Sequence, residues 1–130
     1  MKYILPDTNV IILAFSGQEL IADHFRKWII DKQLIFSTIV IAEFLAGATD
    51  EDEKYLNALL SQFPIAPVDL LVAQFGAGYR KKYHYEKTRV LLPDCLIAAT
   101  AKVNGATIAT LDKKDYPMKD VSIIDFNDKT

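Results

Sequence analysis

The stretch YILPDTNVIILAFSG, residues 3–17, decides the fold class. Tyr3-Ile4-Leu5 is a short apolar run closed by Pro6, which reads as a buried strand. Thr8 to Phe15 opens a helix directly behind it, and Gly17 breaks that helix. The same alternation recurs along the chain. Glu19 to Asp31 reads as an amphipathic helix, with Leu20, Phe25 and Trp28-Ile29 loosely at helical spacing. Leu34-Ile35-Phe36 is a second strand, and Ser37 or Thr38 caps a helix running to Gly47. Asp50-Glu51-Asp52-Glu53 places acids at a helix N-terminus, where the dipole favours them, and that helix continues to Pro64. Ile65 to Val68, between two prolines, is a strand candidate, and Asp69 caps a long helix towards His84. Pro93 suits the first turn of a helix to about Asn104, with Gly105 as its stop. Ala106 to Thr110 and Val121 to Phe126 are the last strands. Strands separated by helices imply an α/β fold with a mostly parallel sheet and helices on its faces.

Composition bounds the function classes. The 130 residues fit one domain, and 51% hydrophobic against 25% charged is globular composition that excludes intrinsic disorder. One cysteine, Cys95, excludes an internal disulfide framework and any multi-cysteine zinc site. A net charge of −2 argues against coating nucleic acid by bulk positive charge. The run Val10 to Phe15 is too short for a signal core, and Val90 to Val103 carries Asp94 and Lys102 and is shorter than a membrane span. No membrane association is expected.

The acids carry the functional signal. Ligands of such sheets bind beyond the carboxyl ends of the strands. Asp7 follows the first strand by two residues, and Asp112 follows Thr110 by two. Glu43 lies on the helix fed by the second strand; Ile39, Glu43 and Gly47 are spaced by four, with Ala42 and Ala46 adjoining, so Glu43 is expected along a largely apolar stripe. Positions 94, 97, 98 and 101 share one helix face, which puts Asp94 at the head of the stripe of Ile97, Ala98 and Ala101. Each acid alone has an ordinary explanation as a cap, a turn residue or half of an ion pair. Four converging on one edge would raise one another's pKa values. A hard divalent cation relieves that conflict, and oxygen-only ligands suit Mg²⁺ or Mn²⁺. The chemistry that uses such a cluster is metal-activated water attacking a phosphodiester.

The segments LPDTNVII (5–12), STIVIAEFLAG (37–47), LLPDCLIAATA (91–101) and ATLDKKDY (109–116) resemble the PIN-domain ribonucleases, and most of all the small VapC-type toxins of prokaryotic toxin–antitoxin pairs. They occur in family order. The resemblance implies a single PIN domain over residues 1–130, with a three-layer α/β/α fold around a parallel sheet of about five strands. It implies a cytoplasmic, Mg²⁺-dependent endoribonuclease, a homodimer, and a cognate antitoxin whose C-terminal segment covers the active-site groove. Carried over residue by residue, the family acids are Asp7, Glu43 and Asp94. For the fourth, Asp112 is the first choice because it is nearer the strand end, and Asp115 is the second. Tyr116 follows where phenylalanine is more usual. Thr8 and Asn9 would orient Asp7 or metal-bound waters, and Thr110 would do the same near Asp112. Glu43 or Asp94 would orient the attacking water or take its proton.

Other features divide between chemistry and packing. The segment RKKYHYEKTR (80–89) offers Arg80, Lys81, Lys82 and Arg89 as RNA contacts, or else is a solvated helix end whose cations suit the C-terminal dipole. Cys95 lies about 100° round the helix from Asp94 and reads as a small buried residue. His24 reads as surface, and Phe25 and Trp28 as core. Gly76 and Gly78 either permit close helix packing or interrupt their helix. Leu20, Ile29 and the apolar residues of 55–63 exceed what one core needs and suggest a partner surface. Two competing functions follow. A phosphatase of the haloacid dehalogenase type needs a second Asp two residues after the first, and position 9 is Asn. A catalytically silent PIN-like scaffold would be expected to lack one or more of the acids. Setting the four metal-site acids apart leaves 13 acids against 15 bases, so the remaining surface is not averse to RNA.

Overall fold

The computed structural model describes residues 2–83 and 90–127. Strand β1 (Tyr3–Pro6) leads into α1 (Thr8–Ser16) and α2 (Glu19–Ile30), then β2 (Phe36–Ser37), α3 (Thr38–Ala46), α4 (Asp50–Leu60) and β3 (Ile65–Ala66). Helix α5 (Leu70–Tyr83) and α6 (Leu92–Asn104) precede β4 (Ala106–Thr110), a 3₁₀ turn at Lys113–Asp115, and β5 (Ile123–Asp125). Local chemistry explains the boundaries. Asp7, Gln18, Ser37, Thr49 and Asp69 each accept a hydrogen bond from a backbone N–H in the first turn of the helix that follows. Gly17 and Gly105 take left-handed conformations, with φ of 86° and 63°, and end α1 and α6.

Every ladder is parallel. β1 pairs with β4 (Leu5 opposite Ile108), β4 with β5 (Ala109 opposite Ile124) and β2 with β3 (Phe36 opposite Ile65). A bridge between Ile4 and Leu34 joins the two groups, with Ile4 N–H donating to Gln33 O at 2.7 Å and Ile35 N–H to Ile4 O at 3.0 Å. The resulting order is β3-β2-β1-β4-β5. A parallel sheet needs helix cover, and its centre is accordingly apolar and buried: Leu5, Leu34, Phe36, Ile108 and Ala109 are fully buried. Five parallel strands with flanking helices match the expected class. The second strand starts later than Leu34-Ile35-Phe36 suggested, because residue 34 makes one bridge and only residues 36 and 37 pair with β3.

Helix α5 runs unbroken through both of its glycines. A Cβ built at Gly76 would stand 2.6 Å from Leu96 Cδ2, so this glycine lets α5 close onto α6; at Gly78 the space is open. Gly78→Ala should therefore stabilise by about 0.5–1 kcal/mol through helix propensity. At Gly76 the same methyl must displace Leu96, and the gain should vanish. Thermal melts of the two variants check this contrast.

Candidate active site

The acids reach one another from different elements: Asp7 follows β1, Glu43 lies on α3, Asp94 opens α6, and Asp112 and Asp115 follow β4. Asp7 leaves β1 as the cap of α1, accepting from Val10 N–H at 3.2 Å, while its own N–H donates to Ala109 O at 2.9 Å and fixes it beside β4. Its side chain is 8% exposed. Burial pushes its carboxyl above the usual range, partly offset by hydrogen bonds from the Thr110 side chain and Val10 N–H; Asp115 and Glu43 push it further up. Asp94, in the first turn of α6, is half-buried above Ile97, Ala98 and Ala101, as the helical spacing indicated. Its pKa is raised to about 6, first by burial and then by Asp115, Glu43 and Asp7. Asp7, Glu43, Asp94 and Asp115 thus share one electrostatic neighbourhood.

One expectation needs correction. Glu43 is exposed, and the buried face of α3 is Val40 and Phe44, one position away from the stripe through Ile39 and Gly47. The helix turns Glu43 towards α1, where Thr8 Oγ1 donates to Glu43 Oε1 at 2.9 Å. Thr8 therefore positions Glu43, not Asp7. The two candidates for the fourth acid are placed differently. Asp112 caps the 3₁₀ turn, its side chain accepting from Lys114 N–H at 3.0 Å, and it acts on neither Asp7 nor Asp94. Asp115, one 3₁₀ turn further on, acts on both. Partial burial, then Asp112, raises its own carboxyl. Nearness to the strand end favoured Asp112; the 3₁₀ turn, in which Asp115 N–H donates to Asp112 O at 3.2 Å, leaves Asp115 as the one of the two whose charge is felt by Asp7 and Asp94.

The supporting residues divide in the same way. Thr110 is 1% exposed and holds Asp7, while accepting from Asp112 N–H at 3.1 Å. Asn9 is exposed on α1, with no side-chain hydrogen bond among the described residues. Cys95 is fully buried, and burial pushes its thiol up, which removes it as a nucleophile. His24 is exposed and packs edge-on to Phe126 at 5.3 Å. Arg80, Lys81 and Lys82 end α5; Arg89 lies outside the described residues. Because α5 and α6 form a hairpin in contact at Gly76 and Leu96, Arg80, one turn beyond Gly76, stands level with the start of α6, and its charge acts on Cys95. Tyr116, which the sequence offered only as a substitute for phenylalanine, is 4% exposed, and all four cluster acids act on it.

The donor set suits a hard cation. All four groups are carboxylates, an oxygen-only donor set, and neither Arg26–Asp23 nor Lys102–Asp120 involves them. Among the described residues no three acidic, histidine or cysteine side chains form a ready-made cage.

A family model for the PIN domain matches residues 4–123. The chain belongs to the PIN-domain family. This PIN domain is 30% identical over 115 residues to Ribonuclease VapC10 of Mycobacterium tuberculosis, covering 88% of the chain and 86% of that protein. It is also similar to the solved structure of FitAcB from Neisseria gonorrhoeae, with a TM-score of 0.75 at 29% identity over 94% of this chain and 96% of the other. VapBC2 from Rickettsia felis, bound to a DNA fragment from its promoter, shares the fold with a TM-score of 0.80 at 17% identity, over 96% and 99% of the two chains. The VapC-type resemblance of the four segments agrees with these matches. No helix among the described residues is long and apolar enough to cross a membrane.

Proposed function

We propose that this PIN domain is a Mg²⁺-dependent endoribonuclease and the toxin half of a toxin–antitoxin pair. One observation carries the reading: Asp7, Glu43, Asp94 and Asp115 come from four separate segments and stand close enough that burial and the neighbouring acids raise the carboxyls of Asp7 and Asp94. The 30% identity to a protein named Ribonuclease VapC10 supports the choice of RNA. Bound there, Mg²⁺ or Mn²⁺ would lower the pKa of water and stabilise charge on a phosphoryl group. The protein's part is to hold the ligands. The α1 cap and Thr110 fix Asp7, Thr8 fixes Glu43, and the first turn of α6 fixes Asp94. Glu43 or Asp94 would orient the attacking water or take its proton. Arg80, Lys81 and Lys82 would meet phosphates at the rim.

The partners in this reading are RNA, a cognate antitoxin and a second copy of the chain, all in the cytoplasm. An apolar groove of about 480 Å³ between α1, α2 and α4, lined by Phe15, Phe25, Ile29, Tyr55 and Leu59, supports a protein partner. A smaller cleft shares Asp52 with that groove and reaches Glu43, so a segment seated there would approach the acids. Exposed Leu71, Phe75, Leu91 and Leu92 supply apolar surface for a further copy. The test is cleavage of several RNAs with Mg²⁺ and with EDTA. Cleavage should require the metal and be lost on chelation. A protein that binds Mg²⁺ yet cuts no RNA would return the silent-scaffold reading.

A further inference from the structure

The turn that carries Asp115 is three residues long, Lys113–Asp115. Its own hydrogen bonds, Asp115 N–H to Asp112 O at 3.2 Å and Tyr116 N–H to Lys113 O at 3.0 Å, shape it without fixing where it stands on the sheet. The side-chain bonds at its entrance are local as well: Asp112 accepts from Lys114 N–H at 3.0 Å, and Thr110 from Asp112 N–H at 3.1 Å. β5 supplies the fixed reference. Its last residue, Asp125, stands opposite Thr110 at the end of β4, and Phe126 N–H donates to Thr110 O at 3.0 Å. The half-buried Asp125 carboxylate then bridges the two segments, Oδ2 accepting from Lys113 N–H at 3.2 Å and Oδ1 from Asn127 N–H at 2.8 Å. Asn127 in turn donates through Nδ2 to Leu111 O at 2.7 Å. A backbone N–H at the start of a helical turn has no partner inside the turn, so the acceptor that Asp125 offers also sets the direction the turn takes. The far end is held by Tyr116, whose ring is in the core. Asp115 stands between these two anchors.

We propose that Asp125 is a positioning residue for Asp115: by holding Lys113 N–H against β5, it places the Asp115 carboxylate where it can share a divalent cation with the other acids. This role rests on the reading of the acids as a metal site and adds to it a residue that does not itself touch the ion. Both Asp125 oxygens are turned onto backbone N–H groups, and bonds from N–H to an ionised carboxylate are among the stronger ones a turn can have. The hydrogen-bonded support of a metal ligand typically decides roughly 10–100-fold in metal affinity, because a ligand free to swing must be ordered when the ion binds. Charge alone would act differently. A nearby negative charge favours a cation whether or not Asp115 is present, whereas positioning works only through Asp115.

The test is a double-mutant cycle on the whole chain, read as Mn²⁺ affinity by calorimetry in wild type, Asp125→Ala, Asp115→Asn and the pair. The expected result is affinity about tenfold weaker in Asp125→Ala than in wild type, and a further change within about twofold when the same substitution is added to Asp115→Asn. Equal losses in the two backgrounds would overturn the proposal, because Asp125 would then act by charge or on the fold at large. An unchanged affinity in Asp125→Ala would overturn it too. If Asp125→Ala does not fold, Asp125→Leu, which keeps the side chain's shape and offers no acceptor, takes its place in the cycle under the same criterion. RNA cleavage is measured separately. Coupled losses of Mn²⁺ affinity in a protein that cuts no RNA would sink the endoribonuclease reading and uphold the positioning role, and a wild type that binds no Mn²⁺ would sink both.

Discussion

Asp94→Asn and Asp115→Asn should each lower Mg²⁺-dependent RNA cleavage by roughly 10²–10³-fold, while Asp112→Asn should stay within a few-fold of wild type. The magnitude follows from what a lost ligand removes: several kcal/mol of charge stabilisation, at about 1.4 kcal/mol per tenfold in rate. The asymmetry follows from position. Asp115 acts on both Asp7 and Asp94, whereas the Asp112 carboxylate is spent on Lys114 N–H. Removing that cap loosens the 3₁₀ turn and shifts Asp115 slightly, a positioning loss that sits well below loss of a ligand. Single-turnover cleavage by the three variants at saturating Mg²⁺ decides it. A severe Asp112→Asn defect beside a mild Asp115→Asn one would reverse the assignment of the fourth acid.

The two residues show what a sequence can and cannot convey. Strand ends, caps and helix stops are local, so β1, β4, α1 and α6 were legible within a residue or two from Pro6, Asp7, Gly17, Pro93 and Gly105. The presence of acids at the carboxyl edge followed from those same boundaries. Their mutual geometry did not. Asp112 and Asp115 are separated by one 3₁₀ turn, whose hydrogen bond from Asp115 N–H to Asp112 O reverses the chain; counting residues from the strand end ignores that reversal.

Glu43 shows the same limit on a helix. Spacing by four groups Ile39, Glu43 and Gly47, but it does not say which face meets the core, and Val40 and Phe44 took that place. What anchors Glu43 is Thr8, 35 residues away, and no local pattern encodes that contact. Tyr116 had a signal, a tyrosine where the resembling family favours phenylalanine. That it lies buried beside the acids is a fact only the packed chain reveals.

The metal-free protein should lose stability as pH rises from about 4 to 7, and Asp94→Asn should blunt that loss. The sign follows from linkage. Asp7 and Asp94 both have folded pKa values above 3.8, Asp94 at about 6. Between the unfolded and folded values the native state holds protons that the unfolded chain has released, so stability falls with rising pH across that window. It is fully present below pH 4 and gone above the folded value. Asp94 is only half-buried, so solvent screening discounts its share to about 1 kcal/mol, or roughly 3–6 °C in melting temperature. Asparagine carries no proton to lose, and Asp94→Asn should melt above wild type by that margin at pH 7, with the gap closing at pH 4. Saturating Mg²⁺ should raise the wild-type melting temperature at pH 7 more than at pH 5, because the ion binds the ionised native site and protons compete for it. It should do much less for Asp94→Asn. Melting curves at pH 4, 5, 6 and 7, with EDTA and with Mg²⁺, measure all three. A gap between wild type and variant that is independent of pH would remove the charge-repulsion account of the site, and a variant less stable than wild type at pH 7 without metal would reverse it.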